Sequence, residues 1–260
     1  MYKTSELAER YKEKLITADE AAAQVQPGDR IHFGLGCGQV VDIDEALSLR
    51  ADELKDVTII STASLVDKPF KTYEATSSND QVRFASAHFG PADRHMSDAG
   101  RCAYLPMMFR ELPFYWTQNG NEIDIACFQV CPMDDYGNFN LGPQVSDMWG
   151  VIRSARKIIV EVNNNMPQAM GHQTQINLYK VDHVVEGSNT PLPEVTQKAP
   201  TKIERKIAAH VVERIHDNST LQLGIGGLPA CIGTLLAESD IKRINAHSEM
   251  LVESYVDLFE

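Results

Sequence analysis

A short pattern that occurs twice constrains the fold of this chain more than any other feature. Residues 31–36 align without gaps on residues 221–226, and in both places an apolar run leads into a glycine turn and then a helical pattern. A strand, a glycine turn, a helix and a second strand are the parts of a right-handed crossover between parallel strands. The sequence therefore predicts an α/β protein with two copies of one parallel-sheet unit.

Several other apolar runs are typical of strands buried on both faces. They contain few polar residues and lie at residues 57–60, 82–85, 123–128 and 157–162. Such runs, without regular polar alternation, indicate parallel strands that helices cover on both sides. Helices are predicted at residues 5–15, 44–54, 203–215 and 230–236. A further helix is predicted from Thr17, which forms a capping box with Glu20.

Charge and composition argue against several classes of protein. The net charge of −12 and the lack of a basic stripe disfavour binding to nucleic acid. No apolar run approaches the length of a membrane span, and the first twenty residues lack an apolar signal region. The five cysteines show no zinc-finger or C-x-x-C spacing, which favours reduced thiols in the cytoplasm.

A turn-rich segment divides the chain. Residues 187–200 contain Gly, Ser, Asn and three prolines, and two of the prolines flank Leu192. We therefore predict an N-terminal domain over residues 1–190, a linker at about 187–200, and the start of a second domain over residues 200–260. One strand–helix–strand unit cannot bury its sheet, so we expect the second domain to be truncated here or completed by another polypeptide.

The two glycine turns are candidate phosphate sites, because glycine allows close approach of the backbone and helix N-termini favour anions. A dinucleotide fingerprint needs a third glycine, but Gln39 and Pro229 stand at that position. The sequence thus gives no support for NAD, and a plain tight turn remains an equal interpretation of each loop taken alone.

Glu249 is a candidate because of its place after a predicted strand. The carboxyl ends of parallel strands share one edge of a sheet, so Glu249 should lie near the second glycine turn. Taken alone, it is interpreted as a solvated residue at a helix N-terminus, and only its position after the strand favours a functional role. His247 is interpreted as structural, and Asp134 with Asp135 as a turn before Gly137. Histidine spacing gives little support for a metal site.

These segments together closely resemble the acetyl-CoA hydrolase/transferase family of class I CoA-transferases, particularly its 4-hydroxybutyrate and butyryl-CoA:acetate members. The resemblance rests on residues 224–229 and on His247-Ser248-Glu249-Met250, with support from residues 129–137, 160–167 and 181–186. It implies two homologous parallel-sheet CoA-transferase domains, of which the second is incomplete. A Gly-Gly-x-x-Asp segment that the family carries later in its chain is not reached.

The resemblance also implies the roles of the site residues. Glu249 would be the covalent nucleophile, and the loop against coenzyme A would consist of Gly224, Ile225, Gly226, Gly227 and Leu228. Coenzyme A would be a substrate, passed between acyl-CoA and short-chain carboxylates such as acetate, butyrate and 4-hydroxybutyrate without metal or NAD. The complete protein would be a cytoplasmic homodimer or higher homo-oligomer. Alternatives are an acetyl-CoA hydrolase on the same scaffold and a non-catalytic nucleotide-binding fragment.

Overall fold

The computed structural model describes residues 4–66, 68–194 and 199–259. The chain forms two compact units, Met1–Glu194 and Val195–Glu260. Within the described ranges, none of the helices combines the length and the apolar character that a membrane span requires.

The strands of the first unit are β1 Arg30–Leu35, β2 Val57–Thr62, β3 Val82–Ser86, β4 Cys102–Tyr104, β5 Ile123–Val130, β6 Asn138–Asn140, β7 Ala155–Val162, β8 Gln175–Asn177 and β9 His183–Glu186. Seven of them form a parallel sheet in the order β4-β3-β2-β1-β5-β7-β9. Strand order reverses between β1 and β5, so the chain builds the sheet outward in one direction and then in the other. A separate antiparallel pair, β6 with β8, lies outside this sheet.

Seven α-helices belong to the described part of the first unit. They are α1 Thr4–Lys14, α2 Ala18–Ala22, α3 Asp42–Ser48, α4 Lys71–Ala75, α5 Pro91–Asp98, α6 Leu112–Tyr115 and α7 Val145–Ser154. The predicted capping box is present: the Glu20 N–H donates to Thr17 Oγ1 at 3.1 Å, and the Thr17 N–H donates to Glu20 Oε2 at 2.8 Å.

Two apolar cores cover the two faces of the large sheet. Along β5, Ile125 and Cys127 pack into one core, and Ala126, Phe128 and Val130 pack into the other. Successive side chains on a strand point to opposite faces, so a strand covered on both sides needs an unbroken apolar run. The apolar runs in the sequence therefore predicted these central strands correctly.

The second unit is smaller. It contains α8 Lys202–Val212, β10 Thr220–Leu221, α9 Gly227–Ala237, β11 Asn245–Ala246 and α10 Glu253–Phe259. Strands β10 and β11 pair in parallel, with Thr220 opposite Asn245 and Leu221 opposite Ala246. The strand, glycine turn, helix and parallel strand of the first unit (β1, α3, β2) thus occur here again as β10, α9 and β11.

Some element boundaries differ from the predicted ones. The helix predicted at residues 44–54 is α3, which begins at Asp42 and ends at Ser48. The apolar run before the second glycine turn is predicted as a strand over residues 220–223, but β10 ends at Leu221, because the Leu223 N–H donates to the hydroxyl of Tyr255 instead of continuing the ladder. Helix α9 begins inside the glycine turn, at Gly227.

The start of the predicted linker is bonded into the first unit. The Gly187 N–H donates to the carbonyl oxygen of Val162 at 3.0 Å, and Ser188 Oγ donates to Asp42 Oδ1 at 2.7 Å. Residues 195–198 of the predicted linker lie outside the described residues.

Candidate active site

The glycine loop 224–228 and Glu249 lie at the same edge of the small parallel sheet. The loop follows the carboxyl end of β10, and Glu249 follows the carboxyl end of β11. Both ends lie at one edge because β10 and β11 pair in parallel. The His247 N–H donates to the carbonyl oxygen of Leu221 at 3.0 Å and so continues the pairing past Ala246. Ligands of parallel α/β sheets bind beyond this edge.

The loop leads directly into a helix. Gly226 has φ of 118° and ψ of 171°, a conformation that L side chains rarely adopt. Helix α9 begins at Gly227, and its first backbone hydrogen bond joins the Ala230 N–H to the carbonyl oxygen of Gly226. The amides of Gly227 and Leu228 precede that bond and therefore stand at the positive end of the helix, where an anion is stabilised.

Glu249 lies in a turn that a neighbouring serine shapes. Ser248 Oγ donates to the carbonyl oxygen of Met250 at 2.7 Å and accepts the Met250 N–H at 3.2 Å. The side chain of Glu249 is exposed, as is that of His247. The turn therefore presents the carboxylate outward, while His247 contributes its backbone amide to the strand pairing.

A second carboxylate lies next to the loop. A Cβ atom placed on Gly227 would stand 2.7 Å from Glu204 Oε1. The other carboxylate oxygen accepts the Thr201 N–H at 2.6 Å in a capping box, and these bonds lower the pKa of Glu204. Both this charge and the net charge of the chain oppose an anion, so binding at the loop would depend on its backbone amides.

The first glycine loop, residues 34–38, is filled by the side chain of Gln144. Gln144 is fully buried, its Nε2 donates to the carbonyl oxygen of Gln129, and its Oε1 accepts the Leu35 N–H at 3.4 Å. A Cβ atom on Gly38 would overlap Gln144 at 1.9 Å. Gln144 therefore takes the Leu35 N–H and fills the space beside Gly38, whereas the residues of loop 224–228 are half-buried or exposed.

At the end of β7, the side chain of Glu161 bonds to the start of α3 and to Gln129 of β5. Glu161 is buried, and its two carboxylate oxygens accept the Val41 N–H at 2.9 Å and the Ile43 N–H at 3.0 Å. It thereby caps the start of α3, and Gln129 donates to it at 3.1 Å. Burial raises the pKa of Glu161 to about 7, although these hydrogen bonds act in the opposite direction.

Asp134 has the structural role that the sequence predicted. Its Oδ1 accepts the N–H groups of Tyr136 at 2.9 Å and Asn138 at 2.7 Å, which closes the turn around Gly137. Over the residues that the structure describes, no three His, Cys, Asp or Glu side chains are grouped so that they could hold a metal ion.

Sequence reasoning missed two side chains next to the loops. Gln144 fills the first loop, and the hydroxyl of Tyr255 contacts the base of the second. Neither lies in a glycine turn or a recognisable motif. Both act on backbone groups that are distant in sequence, and only the folded chain shows which groups these are.

The chain is similar to known proteins over most of its length. Residues 1–196 match the sequence model of the acetyl-CoA hydrolase/transferase N-terminal domain. The chain is 36% identical over 252 residues to a butyryl-CoA:acetate CoA-transferase of Anaerostipes caccae, a match that covers 96% of this chain and 56% of the relative. It is 30% identical over 253 residues to a 4-hydroxybutyrate coenzyme A transferase of Clostridium kluyveri, covering 97% of this chain and 57% of the relative.

A solved structure resembles the whole fold. RipA from Yersinia pestis superimposes with a TM-score of 0.84 at 27% identity, and the match covers 97% of this chain and 60% of RipA. The chain thus spans somewhat more than half the length of the proteins that it matches.

Proposed function

This chain belongs to the acetyl-CoA hydrolase/transferase family, and we propose that it carries the nucleophile of an acyl-CoA:carboxylate CoA-transferase. The substrates would be short-chain acids such as acetate, butyrate and 4-hydroxybutyrate, together with their CoA thioesters. Glu249 would be the catalytic residue, and loop 224–228 would hold coenzyme A. The relatives named above, which transfer CoA between such acids, support this choice of substrates.

One observation supports the proposed site most strongly. The parallel register of β10 and β11 puts the open glycine loop and Glu249 at one edge, so amides that favour an anion and a carboxylate lie beyond adjacent strand ends. The first loop offers no such arrangement, because Gln144 fills it.

The chemistry is a double displacement. A carboxylate oxygen of Glu249 attacks the thioester carbonyl, the carbon–sulfur bond breaks, and a mixed anhydride and CoA thiolate form. The thiolate then attacks the glutamyl carbonyl, which releases the donor acid and leaves Glu249 as a CoA thioester. An incoming carboxylate reverses both steps. Because a carboxylate is a weak nucleophile, the site must position it and stabilise each oxyanion.

Hydrolysis is the second candidate, and the exposure of Glu249 favours it. A glutamyl thioester that water reaches is hydrolysed, and the same intermediate then makes the protein an acyl-CoA hydrolase. Transfer requires that water be kept from the thioester while a carboxylate enters.

The test is to trap the intermediate. The protein is incubated with acetyl-CoA or butyryl-CoA, reduced with borohydride, and mapped by mass spectrometry. We expect reduction of the Glu249 side chain and its loss in Glu249→Gln. Glu253→Gln is the matched control, because Glu253 is an exposed carboxylate only four residues further along and should leave trapping unchanged.

The outcome also separates the candidates. The glutamyl thioester is left for increasing times before borohydride is added: decay that acetate accelerates indicates a transferase, whereas decay that is independent of acetate indicates a hydrolase. Turnover without any modification at Glu249 would refute both and would favour a non-catalytic role for this site.

The proposal extends to compartment and assembly. All five cysteines are unpaired, which is usual for proteins of the reducing cytoplasm. A homodimer or higher homo-oligomer is proposed from the family resemblance, and light scattering coupled to size exclusion would measure it.

A further inference from the structure

We infer that Tyr255 is a positioning residue, which holds loop 224–228 in register with Glu249. This inference rests on the proposed function of the loop and of Glu249. Tyr255 lies on α10, six residues after Glu249, and its ring turns back into the second unit, where only 9% of the residue remains exposed.

The hydroxyl of Tyr255 uses both of its hydrogen-bonding roles at the base of the loop. It accepts the Leu223 N–H at 2.7 Å and donates to the carbonyl oxygen of Leu221 at 3.2 Å. These two backbone groups lie on either side of Gln222, at the point where β10 ends and the loop begins. The hydroxyl therefore bonds the Leu223 N–H in place of a strand partner, and it fixes the direction in which the chain enters the loop.

The same carbonyl oxygen also binds the segment that carries Glu249. Leu221 O accepts the His247 N–H at 3.0 Å in addition to the Tyr255 hydroxyl. One backbone oxygen thus joins the start of the loop, the strand end before Glu249, and the helix after Glu249. A shift of the loop would stretch bonds to both sides of the nucleophile.

Close packing of two helices keeps the hydroxyl in place. A Cβ atom on Gly233 of α9 would stand 2.3 Å from the Cβ of Ser254, the neighbour of Tyr255 on α10. Because α9 starts in the loop and α10 follows Glu249, the contact at Gly233 sets the distance between the two helices. Tyr255 then sets the position of the loop itself, through a bond rather than through packing.

The consequence concerns rate more than binding. The loop amides must meet the CoA moiety in the position that brings the thioester carbon to Glu249, and a misplacement of about 1 Å can cost about 100-fold in rate. Tyr255 touches neither substrate in this scheme, so its loss should slow the formation of the glutamyl thioester while the KM for acyl-CoA changes little.

The experiment compares Tyr255→Phe with the parent protein in single-turnover trapping and in amide hydrogen exchange. We expect the Leu223 amide to exchange about 10 to 100 times faster, since a buried hydrogen bond is lost. We expect the rate constant for labelling Glu249 to fall about 10 to 100-fold at an unchanged final amplitude. Tyr104→Phe, which removes an exposed hydroxyl from the first unit, is the matched control and should change neither quantity.

The amplitude separates positioning from a merely structural role. Partial unfolding would lower the amplitude and leave the rate constant of the competent molecules unchanged, and this result would overturn the inference. So would an unchanged rate constant, whatever the exchange at Leu223. If Tyr255→Phe yields no folded protein, 3-fluorotyrosine at position 255 weakens the hydroxyl as an acceptor, and the rate constant must then fall for the inference to stand.

The proposed function fails by a different result. In that case the parent protein turns over without labelling at Glu249, or Glu249→Gln keeps the full rate. Altered exchange at Leu223 in Tyr255→Phe would still show the bond to the loop, so the two failures are distinct.

Discussion

Replacing Gly38 by alanine should destabilise the first unit, and the cause should be a single side chain. The new Cβ atom would stand 1.9 Å from the Cδ and Oε1 atoms of Gln144, far inside any van der Waals contact. Gly38 does not have a left-handed backbone conformation, so alanine introduces no backbone strain there. The whole cost is therefore steric, and we expect about 2–3 kcal/mol from overpacking of a buried site.

Replacing Gln144 by alanine should also be costly, for a different reason. The Leu35 N–H and the carbonyl oxygen of Gln129 would lose a buried partner, and each such loss costs about 1–3 kcal/mol. In the Gln144→Ala background, however, the side chain that blocks Gly38 is gone. Gly38→Ala should then cost about 0.5 kcal/mol or less, because alanine also restricts the unfolded chain.

The measurement is a double-mutant cycle on the free energy of unfolding, with urea as denaturant. Both tryptophans of the chain, Trp116 and Trp149, lie in the first unit, so their fluorescence reports on that unit alone. We expect a coupling free energy of about 2 kcal/mol between positions 38 and 144. Additivity within about 0.5 kcal/mol would refute the reasoning, because the penalty at Gly38 would then arise from something other than Gln144.

Two more outcomes follow from buried contacts. Burial raises the pKa of Glu161 from 4.5 to about 7, so between these two pH values the unfolded state has lost the proton that the folded state keeps. The free energy of unfolding of the first unit should therefore fall by up to about 3 kcal/mol as the pH rises from 4.5 to 7. Glu161→Gln should flatten this pH dependence in urea titrations, and equal slopes in the variant and the parent protein would contradict the assignment. Gly233→Ala should speed amide exchange in α9 because it displaces Ser254, Ser254→Gly should restore protection, and unaltered exchange would contradict the contact.

The central strands could be predicted from the sequence because each buried position in them requires an apolar residue. A strand such as β5, covered on both faces, needs an apolar side chain at nearly every position, and the run at residues 123–128 shows this directly. The capping box at Thr17 was predictable for a similar reason, since both partners lie within one helical turn.

Short strands and distant contacts could not be predicted in this way. Strand β4, the edge strand Cys102–Tyr104, has only three residues, and two of them are exposed, so it carries no apolar run. Strand β10 ends early because the Leu223 N–H bonds to the hydroxyl of Tyr255, 32 residues further along the chain. No local sequence pattern predicts a hydrogen-bond partner so far along the chain.

The sequence predicted that the second glycine turn and Glu249 share an edge, but not the side chains that contact the two loops. A glycine turn and a carboxylate after consecutive parallel strands share an edge, and the register of β10 and β11 has that arrangement. The first glycine turn also follows the end of a parallel strand, but there Gln144 fills the space. Sequence spacing does not distinguish an open loop from a filled one.

The filled loop has a consequence for stoichiometry. A chain with two open loops of this kind would offer two anchoring points for a phosphate-bearing molecule, and titration would show two classes of binding. With the Gln144 amide built into the first loop, loop 224–228 is the one of the two that we propose as the anchoring point for coenzyme A. Equilibrium titration with coenzyme A should therefore saturate at one equivalent, and in an oligomer the number of bound molecules would count the protomers.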